Sequence, residues 1–414
     1  MAVVVILQNR RFLALWSGNA LSLVGTAGVR LAYPLLALAL FDSPELAGWT
    51  AFAATIPTLI LQVPAGLLAD TVNRRLIMLA AQAVGLAATA AVLLASVLDL
   101  RGLAIVLVVA AVLEGSAFVV FGIAEVGAVR DVVDERERTV AFSFLEAEQP
   151  IGILAGRAVG GALFDLSRWA PFLFNAFSYV FCLLTLAVMP RKLFDPRPSS
   201  PSAPGVRRFW RRMGEGLVWM WRIPYLRLTA IVTGFTNMLF QCVILMILVI
   251  GTREGRPAWT VGAILAAAGV GGILGSLAAP RLERRFSPRA LFLGCVWVWT
   301  VLLAMIAVST HTVVLVGAWA GVGAVGTVVA VTLTVNRARA VPDSALGRIV
   351  SAASVITDGA VPIGAVLGGY LLASAGAETT AWILLAAMLA AALVCTRLLR
   401  QAPVDSRSQL SPSR

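Results

Sequence analysis

A bilayer core about 30 Å thick is crossed by about 20 apolar residues in a helix, and this 414-residue chain carries one such stretch after another. Spans are expected at 12–40, 46–69, 76–98, 102–128, 140–165, 170–189, 227–250, 259–279, 290–308, 313–335, 349–373 and 380–398. Only 13% of residues are charged and 59% are hydrophobic, well above the share in soluble domains. These proportions exclude a disordered chain, a small disulfide-stapled scaffold and a water-facing globular enzyme. The fold class is therefore an all-α membrane protein of twelve transmembrane helices. The N-terminal stretch Met1 to Gln8 is too short for a signal peptide, so the first helix is expected to be retained as an anchor.

The basic residues say how the helices are oriented. With the N-terminus in the cytoplasm, 27 of the 33 Lys and Arg residues fall on inner loops and tails. Arg101, Arg168, Arg253 and Arg256 fall outside, and Arg30 and Arg157 lie within spans. This is the positive-inside pattern, and it also explains the net charge of +12 without nucleic acid as a partner. Both termini are expected in the cytoplasm. Lys192 is the sole lysine, a bias consistent with a GC-rich bacterial genome, so the bacterial cell (inner) membrane is the expected location.

The long inner segment between spans six and seven divides the chain. Residues 1–190 form one six-helix unit, 191–226 a cytoplasmic linker, 227–400 a second unit and 401–414 a tail. Pro196 to Gly205 is rich in proline and serine and reads as a flexible or extended linker. Arg207 to Trp221 interleaves Arg207, Arg208, Arg211 and Arg212 with Phe209, Trp210, Trp219 and Trp221, as in a helix lying in the lipid interface.

The two units repeat one another. Gly156, Gly160 and Gly161 match Gly364, Gly368 and Gly369 at one constant offset, and Gly66 with Arg74 and Arg75 matches Gly275 with Arg284 and Arg285 at nearly the same one. Small residues four apart let helix backbones approach in lipid, which accounts for Gly152, Gly156, Gly160, Gly161, Gly364, Gly368 and Gly369 as packing positions. Parallel repeats with a binding site between them at mid-membrane are an architecture of secondary transporters.

Gly66-Leu67-Leu68-Ala69-Asp70 followed by Arg74-Arg75 resembles the signature between the second and third helices of the major facilitator superfamily. The resemblance spans nearly the whole chain. Met213-Gly214-Glu215-Gly216-Leu217, Arg222 to Arg227, Val341-Pro342 and Gly347-Arg348 are similar to its macrolide-efflux and enterobactin-exporter group. The resemblance implies two pseudo-symmetric six-helix bundles, and Gly66, Asp70, Arg74 and Arg75 as a conformational latch. Thr71 and Asn73 stand where the family has a basic residue and a glycine. Gly152, Gly156, Gly160 and Gly161 resemble the family's antiporter motif, with Arg157 in the place of its proline.

Ionisable residues inside a bilayer are costly and mark function by default. Arg30, Glu114, Arg157 and Asp358 lie deep. At about 1.5 Å per residue, Glu114 falls about 18 Å and Arg157 about 12 Å below the outer boundary, so an Arg157 to Glu114 pair is expected, structural or functional. Proton coupling needs a carboxylate that loads and releases H⁺, and Glu114 and Asp358 are the candidates. Glu125, Glu146 and Glu148 lie nearer the cytoplasmic end, within expected reach of solvent. Arg30 and Arg157 are alternatively the binding groups for an anionic cargo. Asn19, Tyr33, Asn175, Asn237 and Gln241 are expected to face a central cavity or to tie helices together.

Together these features imply a secondary active transporter. The expected function is proton-coupled efflux of an amphipathic small molecule, drug, macrolide-like or siderophore-like, with the proton gradient as energy source and no cofactor. An uptake permease of the same fold and a non-transporting membrane receptor or scaffold are the alternatives. Enzyme chemistry is not expected. His311 is the one histidine, Cys182, Cys242, Cys295 and Cys395 have no metal-site spacing, and an ATP-binding G-x-x-x-x-G-K-[ST] loop is absent. The bilayer and a small molecule are the expected partners. One such bundle encloses its own pathway, so a monomer is expected.

Overall fold

The computed structural model describes residue 6 and residues 8–98, 102–195, 206–340 and 343–401. The expected Pro196–Gly205 linker, the tail beyond Gln401, Arg101 and Val341-Pro342 lie outside the described residues, and so do the side chains of 206–213. Six long helices form the first half: α1 (Arg10–Phe41), α2 (Pro44–Thr71), α3 (Arg74–Val97), α4 (Leu103–Val132), α5 (Arg138–Leu166) and α6 (Ala170–Val188). The short helix α7 (Val206–Arg222) follows. The second half holds α8 (Pro224–Arg253), α9 (Ala258–Arg285), α10 (Pro288–Val308), α11 (Thr312–Ala340) and α12 (Asp343–Gln401). There are no strands among the described residues.

Twelve crossings result because α12 is two limbs bent at Gly376, whose φ of 75° and ψ of 172° only glycine adopts without strain. Among the described residues, ten helices are long and apolar enough to cross a membrane, the bent α12 counting once. The long helix that falls short is α5, where Gln149, Pro150, Arg157 and Asp165 interrupt even its most apolar stretch. Where neighbouring helices meet at a turn, short polar caps end them. Asp42 takes the left-handed conformation between α1 and α2, Ser43 caps α2, Asn73 caps α3 and Ser287 caps α10, each cap worth about 1 kcal/mol. The outward faces are apolar. Ile105, Val188 and Leu277 are exposed, as helices turned to lipid require.

The repeat-related glycines occupy equivalent contacts. Gly156 and Gly160 lie against the backbone of α1 at Val24 and Gly28, while Gly364 and Gly368 lie against α8 at Met238 and Cys242. Gly161 and Gly369 instead face the opposite half. A Cβ on Gly161 would stand 3.2 Å from Gly262 Cα of α9, and one on Gly369 would stand 3.1 Å from Gly48 Cα of α2. Both seams lie towards the ends of the helices that carry few arginines, called here the arginine-poor end. A third contact reinforces them. Asp165, the penultimate residue of α5, accepts the backbone N–H groups of Ala258 (2.6 Å) and Trp259 (2.7 Å). Pro257 gives α9 no side-chain cap of its own, so one half caps a helix of the other.

The helix α7 is not a free interfacial segment along its whole length. Its last turns pack Met220 with Leu226, Ala230, Ile349 and Ala353, and Glu215 pairs with Arg348 of α12 at 2.7 Å. Trp221 stays exposed.

Candidate functional site

The polar interior lies mainly in the first half. Glu114 of α4 is 1% exposed and is ringed by donors from two other helices. Asn175 Nδ2 of α6 donates to both carboxylate oxygens at 3.1 and 3.3 Å, Tyr179 Oη donates at 3.2 Å, and Thr89 Oγ1 of α3 donates as well. Burying a carboxylate is tolerable only when its lone pairs are satisfied, and three neutral side chains achieve that here. Arg30 of α1 lies within electrostatic range of Glu114 and Tyr179. Its guanidinium stacks over the Phe118 ring at 4.2 Å and its Nη2 reaches the Ala54 carbonyl at 3.5 Å.

The expected ion pair between Arg157 and Glu114 does not form. Arg157 Nη1 donates instead to the Leu265 carbonyl of α9 at 3.1 Å, across the seam between halves, and its backbone carbonyl lies against Gly262. Depth along the bilayer normal placed the two groups within reach of each other, but Arg157 lies on the face of α5 turned to α9. The proline of α5 is Pro150, seven residues before Arg157.

Of the residues expected at a central cavity, Asn175 and Tyr33 are wholly inside the first bundle. Asn175 is engaged with Glu114, and Tyr33 stands edge-on to Phe172 at 5.2 Å. Asn19 of α1 donates to Glu148 Oε1 of α5 at 2.9 Å. Asn237 of α8 ties to the Thr357 carbonyl of α12 at 3.0 Å, a helix-joining role. Gln241 is half-buried on α8. Asp358 of α12 is exposed, accepts from Thr357 Oγ1 at 3.3 Å and shares its surroundings with Arg337.

The latch residues divide. Arg74 pairs with Asp131 of α4 at 2.7 Å, and Arg75 donates to the Leu186 and Ala187 carbonyls at 2.7 and 2.8 Å. Those carbonyls close α6, where a cation also meets the negative end of the helix dipole. Asp70 is exposed, and a Cβ on Gly66 would meet nothing within 4 Å. Asn73 caps α3 and donates to the Arg191 carbonyl (3.0 Å) and Asp195 (2.6 Å), so it fastens the start of the segment that leaves the first half.

Two carboxylates expected near solvent are not there. Glu125 and Glu148 are each 5% exposed, whereas Glu146 is exposed. Helical spacing carried the signal. Glu148, Gly152, Gly156 and Gly160 follow one another at four-residue steps, the stripe that packs on α1. Glu114, Phe118, Phe121 and Glu125 likewise share one face of α4. Asp165 and the Thr89 and Tyr179 donors were also not singled out, since a helix-terminal aspartate and isolated hydroxyls in apolar runs have no periodic signature.

Comparison with known proteins follows the same lines. The sequence profile of the Major Facilitator Superfamily matches residues 15–334 and 260–414. The multidrug efflux pump Tap of Mycolicibacterium fortuitum is 26% identical over 406 residues, 95% of each chain. Among solved structures, the nucleoside transporter NupG superposes with a TM-score of 0.71 at 14% identity, over 95% of this chain and 100% of that one. A bacterial homologue of the iron transporter ferroportin was solved in two states. Its inward-facing form gives a TM-score of 0.70 at 18% identity, covering 94% of this chain and 98% of that one. Its outward-facing form gives 0.57 at 19% identity, covering 95% and 100%.

Proposed function

Because the chain belongs to the major facilitator superfamily, and so is a multi-pass membrane transporter, we propose that it exports an amphipathic small molecule by alternating access, driven by inward proton movement. The observation that carries this reading is the closed arginine-poor end. There Gly161 meets Gly262, Gly48 meets Gly369 and Asp165 caps α9. With the arginine-rich end in the cytoplasm, this is the arrangement in which cargo enters from the cell interior or the inner leaflet. The resemblance to the efflux pump Tap supports the outward direction.

Glu114 is the proposed proton carrier in the first half and Asp358 in the second. Glu114 suits the role because it is buried among neutral donors and has no ion pair to hold it in one charge state, so gain or loss of a proton changes the local balance without breaking a salt bridge. Arg30, close enough to sense that change, would transmit it to α1. Arg157, at the seam, would be the group through which the first half holds α9.

Flux in reconstituted vesicles tests the proposal. Imposing a pH gradient is expected to drive accumulation of a fluorescent amphipath in inside-out vesicles, and the movement is expected to collapse with a protonophore. Uptake in the opposite direction would favour a permease of the same fold, and absence of any flux would remove transport of such cargo altogether.

A further inference from the structure

At the arginine-rich end of the second half, an open groove of about 680 Å³ lies between α8, α10 and the second limb of α12. The described residues that border it all belong to those three helices, so it opens away from the seams with the first half and onto lipid. Ile231, Val394 and Leu398 on its walls are exposed. The sequence of α12 gives the groove its form. Ala387, Ala391, Val394 and Leu398 recur every three or four residues along one face, and the small side chains among them leave a channel beside Ile231 and Phe235 of α8. Two hydrogen bonds hold the walls. Tyr225 Oη of α8 donates to the Pro288 carbonyl of α10 at 3.3 Å, and Trp297 Nε1 of α10 donates to Thr396 Oγ1 of α12 at 3.1 Å. At about 1.5 Å per residue, Arg227 to Phe235 spans about 12 Å and Leu399 to Ala387 about 18 Å. That is the depth of one leaflet of a core about 30 Å thick.

The mouth of the groove is positive. Arg227, the fourth residue of α8, and Arg289, the second of α10, border it half-buried, and no acidic residue joins them among its described lining. Arg227 takes part in none of the ion pairs among the described residues. The first half treats the corresponding corner differently. There Phe12, Leu15, Ile77, Leu186 and Phe194 pack into one buried cluster. Arg75, the second residue of α3 as Arg289 is of α10, donates to the carbonyls that end α6. The groove is the corner that the second half leaves open.

We infer that the groove is a binding site for an anionic phospholipid of the leaflet at the arginine-rich end, with Arg227 and Arg289 on its phosphate and an acyl chain along the α12 stripe. Guanidinium groups pair with phosphate oxygens in a planar fork, and partial burial protects that pairing from screening by salt. A lipid satisfies both halves of the site at once, since the charge sits at headgroup level and the walls below it are apolar. The chain beyond Gln401, with Asp405, Ser406, Ser408, Ser411 and Ser413, is too polar to cover such walls. The inference needs only that the helices are embedded in a membrane, and it stands whichever cargo or direction of transport applies.

Photolabelling of the full chain in nanodiscs tests it. The probes are a phosphatidylglycerol with a diazirine on one acyl chain and its phosphatidylcholine counterpart, each at low mole fraction in phosphatidylcholine. Labelled peptides are mapped by mass spectrometry. In the wild-type chain the phosphatidylglycerol probe is expected to label residues 387–399 about tenfold or more strongly than the phosphatidylcholine probe, the scale of two arginines at a membrane surface. Arg227→Gln combined with Arg289→Gln is expected to erase that preference, whereas Arg281→Gln, exposed on α9 at the same end, retains it. Ala391→Trp is expected to fill the groove and lower labelling by both probes. Should the variants misfold, competition on the wild-type chain decides. Unlabelled phosphatidylglycerol is expected to displace its labelled form from residues 387–399, and inorganic phosphate is not. Equal labelling of the wild-type chain by both probes would overturn the site. So would a preference that survives the double substitution or falls as far in Arg281→Gln, labelling unaltered by Ala391→Trp, or displacement by inorganic phosphate alone.

Discussion

Glu114 shows how a membrane interior holds a carboxylate without a salt bridge. Thr89, Asn175 and Tyr179 each come from a helix other than its own, so the site exists only when α3, α4 and α6 are packed together. Asn175→Leu is expected to leave the acid short of a donor and to lower stability by about 1–3 kcal/mol, measured as thermal unfolding of the purified chain in detergent. Unchanged stability would mean that water replaces the amide. Glu114→Gln has a different expected effect. It keeps the shape and most of the hydrogen bonds while removing the charge, so substrate-driven proton movement in vesicles is lost and the fold is retained. Full coupling in that variant would remove Glu114 from the proton path. At the end of α2, Asp70→Asn is expected to impair transport with expression intact, because Asp70 is exposed. Unaltered flux would remove the latch assignment.

At the scale of helices, the two halves are joined at backbone-to-backbone seams where a side chain does not fit. Gly262→Trp or Gly48→Trp is expected to hold the arginine-poor end apart, since even a Cβ at Gly262 would crowd Gly161 Cα at 3.3 Å. Thiol-reactive labelling of a cysteine introduced at an otherwise shielded cavity position would rise from that side, and unchanged labelling would mean that the seam yields by another route. Asp165→Ala removes the cap that α5 supplies to α9. It is expected to favour the open form by about 1 kcal/mol, about fivefold in the balance of states. The seams also show what can be read from a sequence. The constant offset between Gly156, Gly160, Gly161 and their counterparts in the second half revealed the repeat and the packing positions, because close approach in lipid demands small residues at fixed spacing. It did not reveal which glycines face their own bundle and which the other half. Gly160 and Gly161 are neighbours in sequence but lie about 100° apart around the helix, and only the assembled bundle shows that one meets α1 and the other α9. The expected Arg157–Glu114 pair fails for the same reason: depth follows from residue counting, but facing depends on the rotation of the whole helix. The four-residue stripe running from Glu148 through the glycines was visible and pointed to burial, against the expectation from distance to the loop.

For the whole molecule, the asymmetry of charge matters most. The buried acids of the spans, Glu114, Glu125 and Glu148, belong to the first half, while the second contributes Asp358 on an exposed face. The first half thus carries the buried acids, and the second supplies the facing surface at the glycine seams. The proposed alternating access moves the halves as units, opening one end as the other shuts. Double electron–electron resonance tests this most directly, with the four native cysteines replaced and spin labels placed in two pairs. One pair, Arg168 with Glu254, reports on the arginine-poor end, and the other, Asp70 with Arg284, reports on the arginine-rich end. Changing pH and adding cargo is expected to lengthen one distance while shortening the other. Two distances that rise and fall together, or that stay fixed while the chain transports, would contradict alternating access.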